Sequence, residues 1–214
     1  MRRAREPRRA AVGGRFSRVE RVDHVDFFRV FRVFRGFIPK MRIVKSDEVG
    51  LEAAAKVLLA GGVAVIPTDT VYGLAAHPDF PEAVDRLYTI KGREAKKPIA
   101  LLAASVEATP VRHPLAEKWP GGLTIVFDGE GYRVPDHDWT RRLLAKCGGL
   151  LRVTSANLSG QRAATDAPQA LADVGLSADI VVDDGISPGG VPSTVVKVGP
   201  EGGLEVLRRG GVEI

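Results

Sequence analysis

The sequence predicts a single-domain α/β fold, a twisted mixed sheet flanked by helices. Three observations carry this. Short apolar runs of strand type, such as VAVIP (63–67), LTIVF (123–127) and DIVVDD (179–184), alternate with stretches of helical type, the order that builds layers of helix on sheet. The 24 glycines and 14 prolines imply many tight turns, which suits short connections, without the bias of a low-complexity protein. A length of 214 residues at 44% hydrophobic content is enough for one domain with a real core.

RIV (42–44) reads as a short strand. Ser46 is placed to cap a helix running to about Leu59, which Gly61 and Gly62 end. VAVIP is a strand of the fully buried type and runs into a loop, TDTVYGLAA. Pro81 suits the first turn of a helix over PEAVDRLYTIK. PIALLA (98–103) is the next strand, and a helix precedes Trp119-Pro120-Gly121-Gly122. LTIVF and GYRVP (131–135) form a strand pair joined by a turn. Asp138 caps a helix to about Lys146, and LLRVTSA (150–156) is a strand entering a polar loop. Pro168 to Val174 is helical, DIVVDD is a strand, and STVVKV (193–198) and LEVLRR (204–209) make a closing pair. No internal repeat is present. The polar loops follow apolar strands, and open α/β sheets bind ligands beyond the carboxyl ends of their strands, so these loops are candidates for one site.

The formal charge of +5 is unevenly placed. Residues 1–40 hold eleven Arg and one Lys against four acids, a net of +8, so the other 174 residues carry −3. The basic character therefore belongs to the N-terminal extension, and the overall pI does not argue for nucleic-acid binding by the domain. Three readings fit residues 1–40: a basic arm for RNA, an Arg-rich presequence, or upstream sequence with the biological start at Met41, where a well-formed domain (41–214) begins. The single cysteine, Cys147, excludes an internal disulfide. With no CxxC or Cys/His cluster, a structural zinc site is not expected and a reducing, cytoplasmic location is. No apolar run is long enough to span a bilayer.

Six polar constellations stand at strand ends. Lys91-Gly92-Arg93 with Lys96-Lys97-Pro98 puts four cations within seven residues; Lys supplies point charge to phosphates and Arg a planar fork. A solvated turn is the bland alternative, weakened because the cluster interrupts two apolar elements. Thr68-Asp69-Thr70-Val71-Tyr72 ends a buried strand, and its Asp69 alone is weak evidence for a metal or amine partner. Thr154-Ser155-Ala156-Asn157 suits close approach to a ligand, or a helix cap. Arg133-Val134-Pro135-Asp136-His137, Gly189 to Thr194 and Arg208-Arg209-Gly210-Gly211 complete the set. No Walker loop, GxSxG elbow or HExxH occurs.

PTDTVYGL, KGREAKKP, WPGGLT, RVPDH, SANLSG, GGVPSTVV and LRRGGV, in this order, closely resemble the YrdC-type domain of threonylcarbamoyl-AMP synthases, from about Met41 to Ile214. The pairs Lys91/Arg93 and Ser155/Asn157 are the most telling signature. The resemblance implies a YrdC-like fold with a concave ligand site. It also implies a reaction in which L-threonine and bicarbonate (or CO2) form a carbamate whose oxygen attacks the α-phosphorus of ATP, giving threonylcarbamoyl-AMP and pyrophosphate. The product would feed t6A formation at position 37 of tRNA through a downstream transferase complex. By the same resemblance Lys91, Arg93, Lys97, Arg133, Asn157, Thr165 and Arg208 bind ATP, and Thr70, His137, Ser155 and Ser193 surround threonine. No side chain acts as nucleophile or metal ligand; Lys91 and Arg93 position and stabilise charge, and Mg2+ arrives with ATP, held largely by phosphates.

There are departures from the family pattern. Leu102 stands where some longer members carry His, Gly122 where Pro is common and Ala75 where Gly is common, and the chain ends soon after Arg208, where longer members have a further domain. Two other readings compete: an RNA-binding module extended by residues 1–40, and a paralogue with different carbamoyl-adenylate chemistry.

Overall fold

Successive side chains along a strand point to opposite faces of the sheet, and in the central strands both sets are apolar and buried, so helices cover both faces. A computed structural model describes residues 42–92 and 98–214. The extension 1–40, Met41 and the segment that includes Arg93 and Lys97 lie outside the described residues. In chain order the elements are β1 (Arg42–Lys45), α1 (Glu48–Leu59), β2 (Val63–Ile66), β3 (Gly73–Ala76), α2 (Pro81–Lys91), β4 (Leu101–Ala103), β5 (Leu123–Phe127), β6 (Glu130–Arg133), α3 (Asp138–Lys146), β7 (Leu150–Ser155), α4 (Ala167–Asp173), β8 (Ile180–Asp183), β9 (Thr194–Val198) and β10 (Leu204–Arg208).

The strands form one sheet in the order β1-β8-β2-β3-β7-β4-β6-β5-β9-β10. The pairs β1–β8, β2–β8, β4–β6 and β5–β9 are parallel. The pairs β2–β3, β3–β7, β4–β7, β5–β6 and β9–β10 are antiparallel. This is the mixed sheet flanked by helices that the sequence predicts. Ala64 and Ile66 of β2 pack with Leu51 and Leu58 of α1 and Leu143 and Leu144 of α3. Their neighbours Val63 and Val65 join Leu87 of α2 and Leu171 of α4. A strand covered on both faces reads as an unbroken apolar run, which is why VAVI is so legible. A third cluster joins Trp119, Leu123, Ile125 and Val196. The alternate residues of β5, Thr124 and Val126, face a cavity instead.

Several boundaries differ from the sequence reading. Asp47, not Ser46, caps α1, its carboxylate accepting from Gly50 N at 2.8 Å, the third helical amide that an N-cap side chain can satisfy, while the Ser46 hydroxyl donates to the Asp184 carboxylate. His137, not Asp138, caps α3, its ring nitrogen accepting from Thr140 N at 3.3 Å. The stretch read as the loop TDTVYGLAA contains β3. Its GLAA lacks the β-branched residues that mark a strand, and close approach makes it one: a Cβ on Gly73 would stand 2.6 Å from Val153 Cγ1 on β7. PIALLA contributes only Leu101–Ala103, and the helix expected before Trp119 is a 3-10 turn, Pro114–Lys118. Gly92, left-handed at φ 58°, ends α2.

Candidate functional site

A cavity of about 700 Å³ opens on the face of the sheet that carries Thr124 and Val126. Its walls include Thr68, Thr70 and Tyr72 after β2, Leu102 of β4, Arg133 at the end of β6, and Val153 to Ser155 at the end of β7. Ser193, Val195, Leu207 and Arg208 of the closing pair complete it. Five of the residues that the resemblance assigned to ATP or threonine meet here: Thr70, Arg133, Ser155, Ser193 and Arg208.

Arg133 anchors the wall. β6 runs parallel to β4 with Arg133 beside Leu102, which sets the guanidinium at the cavity. Its Nε donates to Gly121 O at 2.9 Å, Nη1 donates to Thr70 Oγ1 at 2.8 Å, and Nη2 pairs with the Asp69 carboxylate. Burial pulls the guanidinium below its ordinary pKa; Asp69 opposes this, and the Arg208 cation adds to it.

Arg208 reaches the cavity because β10 is irregular. Val206 faces Val196, whereas Arg208 faces Val195, with a register shift between them. Leu207 is the extra residue of the bulge, so Leu207 and Arg208 both line the cavity, where a regular strand would send them to opposite faces. Arg208 Nη2 donates to Ser193 O at 2.8 Å and to Ser193 Oγ at 3.0 Å. Ser193 Oγ in turn shares a 2.8 Å hydrogen bond with Thr124 Oγ1.

Lys91 and Asn157 stand behind the wall. Lys91, 3% exposed, donates from Nζ to Ser155 O at 2.5 Å, to Asn157 O at 2.6 Å and to Asn157 Oδ1 at 3.3 Å. The Asn157 amide donates to Leu158 O and Gln161 O, each at 2.8 Å. The two residues thus shape the loop that presents Ser155. Thr165 donates to Gln169 Oε1 at the start of α4. His137 bonds Asp184 Oδ2 at 2.9 Å. Neither Thr165 nor His137 is part of the cavity lining. Tyr72, fully buried, donates to Gly185 O at 2.8 Å and accepts from Asp184 N at 2.9 Å; burial pushes its phenol up to about 12, while the Asp184 amide pulls the other way.

Two residues at the site were not assigned a role from the sequence. Thr124 is the one polar residue in LTIVF, and a hydroxyl alternating with buried Leu123 and Ile125 is a signal that the strand's other face is wet. Asp69 was read from the sequence only as weak evidence for a metal or amine partner; its partner is the guanidinium of Arg133, 64 positions away. Among the described residues, no group of three or more His, Cys, Asp or Glu is placed to hold a metal ion.

Two guanidiniums, convergent hydroxyls and a strand-end loop define an α/β domain whose cavity has the chemistry to position charged ligands. A family model for the Sua5/YciO/YrdC proteins, described as telomere recombination, matches residues 56–210. The threonylcarbamoyl-AMP synthase of Bos taurus is 33% identical over 187 residues, covering 75% of this chain and 67% of that protein. That of Bacillus subtilis is 28% identical, covering 79% and 56%. Sua5 of P. abyssi, solved in complex with L-threonine, superposes with a TM-score of 0.72 at 29% identity, covering 79% of this chain and 57% of that one. The E. coli YciO structure, at 21% identity and a TM-score of 0.69, shares the fold and covers 80% and 95%. The chain belongs to the Sua5/YciO/YrdC family. It spans about two thirds of the bovine relative and little more than half of the Bacillus and Pyrococcus ones.

Proposed function

We propose that this chain is an L-threonylcarbamoyladenylate synthase, a nucleotidyltransferase that makes threonylcarbamoyl-AMP from L-threonine, bicarbonate or CO2, and ATP. The observation that carries the reading is the cavity itself: Arg133 and Arg208 converge with Thr70, Ser155 and Ser193 in a chain whose relatives bear that name. The threonine amine and bicarbonate form a carbamate with loss of water. A carbamate oxygen bonds to the α-phosphorus of ATP as the bond to the pyrophosphate oxygen breaks. Such a step needs alignment and charge neutralisation, with no protein nucleophile.

The guanidiniums of Arg133 and Arg208 supply positive charge beside the phosphates, joined by Arg93 and Lys97 of the KGREAKKP segment. Hydroxyls of Thr70, Ser155 and Ser193 orient threonine, and Lys91 and Asn157 hold the loop that carries Ser155. Mg2+ accompanies ATP as part of the substrate, with phosphate oxygens as its ligands. The unstable mixed anhydride is consumed by the tRNA t6A transferase complex, and the site of action is the cytoplasm.

Incubating the 214-residue chain with ATP, threonine and bicarbonate tests this. Pyrophosphate release should require both threonine and bicarbonate. Release that proceeds equally with serine, or without any amino acid, would assign the chain to a paralogue with other carbamoyl-adenylate chemistry.

A further inference from the structure

We propose that Asp69 is a positioning residue of the cavity, acting through Arg133. The Asp69 and Arg133 side chains are 11% and 7% exposed. Asp69 is not part of the cavity lining, whereas Arg133 is. The carboxylate holds Nη2 while Nε binds Gly121 O and Nη1 binds Thr70 Oγ1. Those contacts tie the loop after β2 to the turn before β5. Gly189 N, from the loop before β9, donates to Asp69 O at 2.9 Å, and a Cβ on Gly189 would stand 2.7 Å from that oxygen. Three cavity-forming segments therefore meet on Asp69 and its partner.

An arginine has five N–H donors. The bonds to Gly121, Thr70 and Asp69 leave one N–H on each terminal nitrogen without a partner among the described residues, at the wall of a cavity shared with Arg208. Two guanidiniums at one cavity repel each other. Asp69 offsets that repulsion before a ligand arrives and fixes the plane of the Arg133 fork, so its remaining N–H groups are preorganised for a ligand oxyanion. An acid set directly in an anion site would repel the ligand; placed behind the arginine, it orients instead.

This inference rests on the reading of the cavity as the adenylation site, and a double-mutant cycle separates the two. Wild type, Asp69→Ala, Arg133→Ala and the double variant are compared for threonine-dependent turnover and, by calorimetry, for affinity toward inorganic pyrophosphate. Asp69→Ala should lower kcat/KM by about 100-fold, the effect of misplacing a site group by roughly 1 Å, and Asp69→Asn, which keeps an acceptor for Nη2, should recover most of it. In the Arg133→Ala background, Asp69→Ala should have no further effect on turnover or on pyrophosphate binding. If Asp69→Ala does not fold, Asp69→Asn carries the test: a several-fold loss that vanishes without Arg133. Losses that multiply across the cycle, or an Asp69→Ala chain with wild-type constants, overturn the proposal. If wild type shows no turnover but binds pyrophosphate with the same non-additivity, the functional reading fails and the positioning role stands. A wild type that binds no pyrophosphate overturns both.

Discussion

The Lys91 ammonium gathers the carbonyls of Ser155 and Asn157; removing it takes the buried donor from Asn157 O and Asn157 Oδ1, while Ser155 O keeps the amide of Asn157. Lys91→Met should cost roughly 1–3 kcal/mol of stability, read from denaturant midpoints, and should loosen the loop that presents Ser155. An unchanged midpoint would mean the loop holds without it. Tyr72 offers a second test. The unfolded phenol titrates near 10 and the folded one at about 12. The native state therefore holds its proton more tightly, and this contribution is complete below pH 10 and lost as pH rises from 10 to 12. In a spectrophotometric titration one of the three tyrosines should ionise near pH 12, and Tyr72→Phe should abolish that late step. The sequence was most legible where the family resemblance assigned a role, as at Arg133, Ser193 and Arg208, all of which line the cavity. It was silent where a role depends on a distant partner. Nothing in PTDT announces that Asp69 meets Arg133, and nothing in KGREAKKP announces that Lys91 turns inward to the loop after β7.

Single offsets decide what an element presents. His137 caps α3 by accepting from Thr140 N and also bonds Asp184. His137→Ala should lower stability by about 1 kcal/mol and His137→Asn should restore it, since Asn is a strong N-cap; thermal melts of the two variants check this. β10 shows why a site can hide from a pattern reading. Strict alternation along LEVLRR would set Leu207 and Arg208 on opposite faces, and the bulge brings both to the cavity. β3 hid for the opposite reason: small residues conceal a strand that a close neighbour creates. The tight contact of Gly189 with Asp69 belongs to this scale as well. Gly189→Ala places a Cβ 2.7 Å from Asp69 O, so the loop before β9 must move. Affinity for ATP should fall severalfold (roughly 1 kcal/mol), as calorimetry would show, and an unchanged affinity would mean the loop does not support the cavity.

For the whole molecule, apolar periodicity was enough to predict a mixed sheet covered by helices, because most of its strands are buried on at least one face. The order β1-β8-β2-β3-β7-β4-β6-β5-β9-β10 was not legible. Long-range pairings such as β1 with β8 and β5 with β9 leave no local trace. That topology creates the site: the ends of β2, β6 and β7 and the closing β9–β10 pair surround one cavity although they are far apart in sequence. The charge of the sequence is likewise uneven, with the net positive charge on residues 1–40, while Arg133 and Arg208 stand singly at the ends of β6 and β10. The proposed reaction in this cavity joins a threonine carbamate to AMP. It is tested most directly by supplying 13C-bicarbonate, threonine and ATP to the chain and analysing the products by mass spectrometry. Threonylcarbamoyl-AMP carrying the label should form together with pyrophosphate. Cleavage of ATP without a labelled adenylate, or no reaction at all, would contradict it.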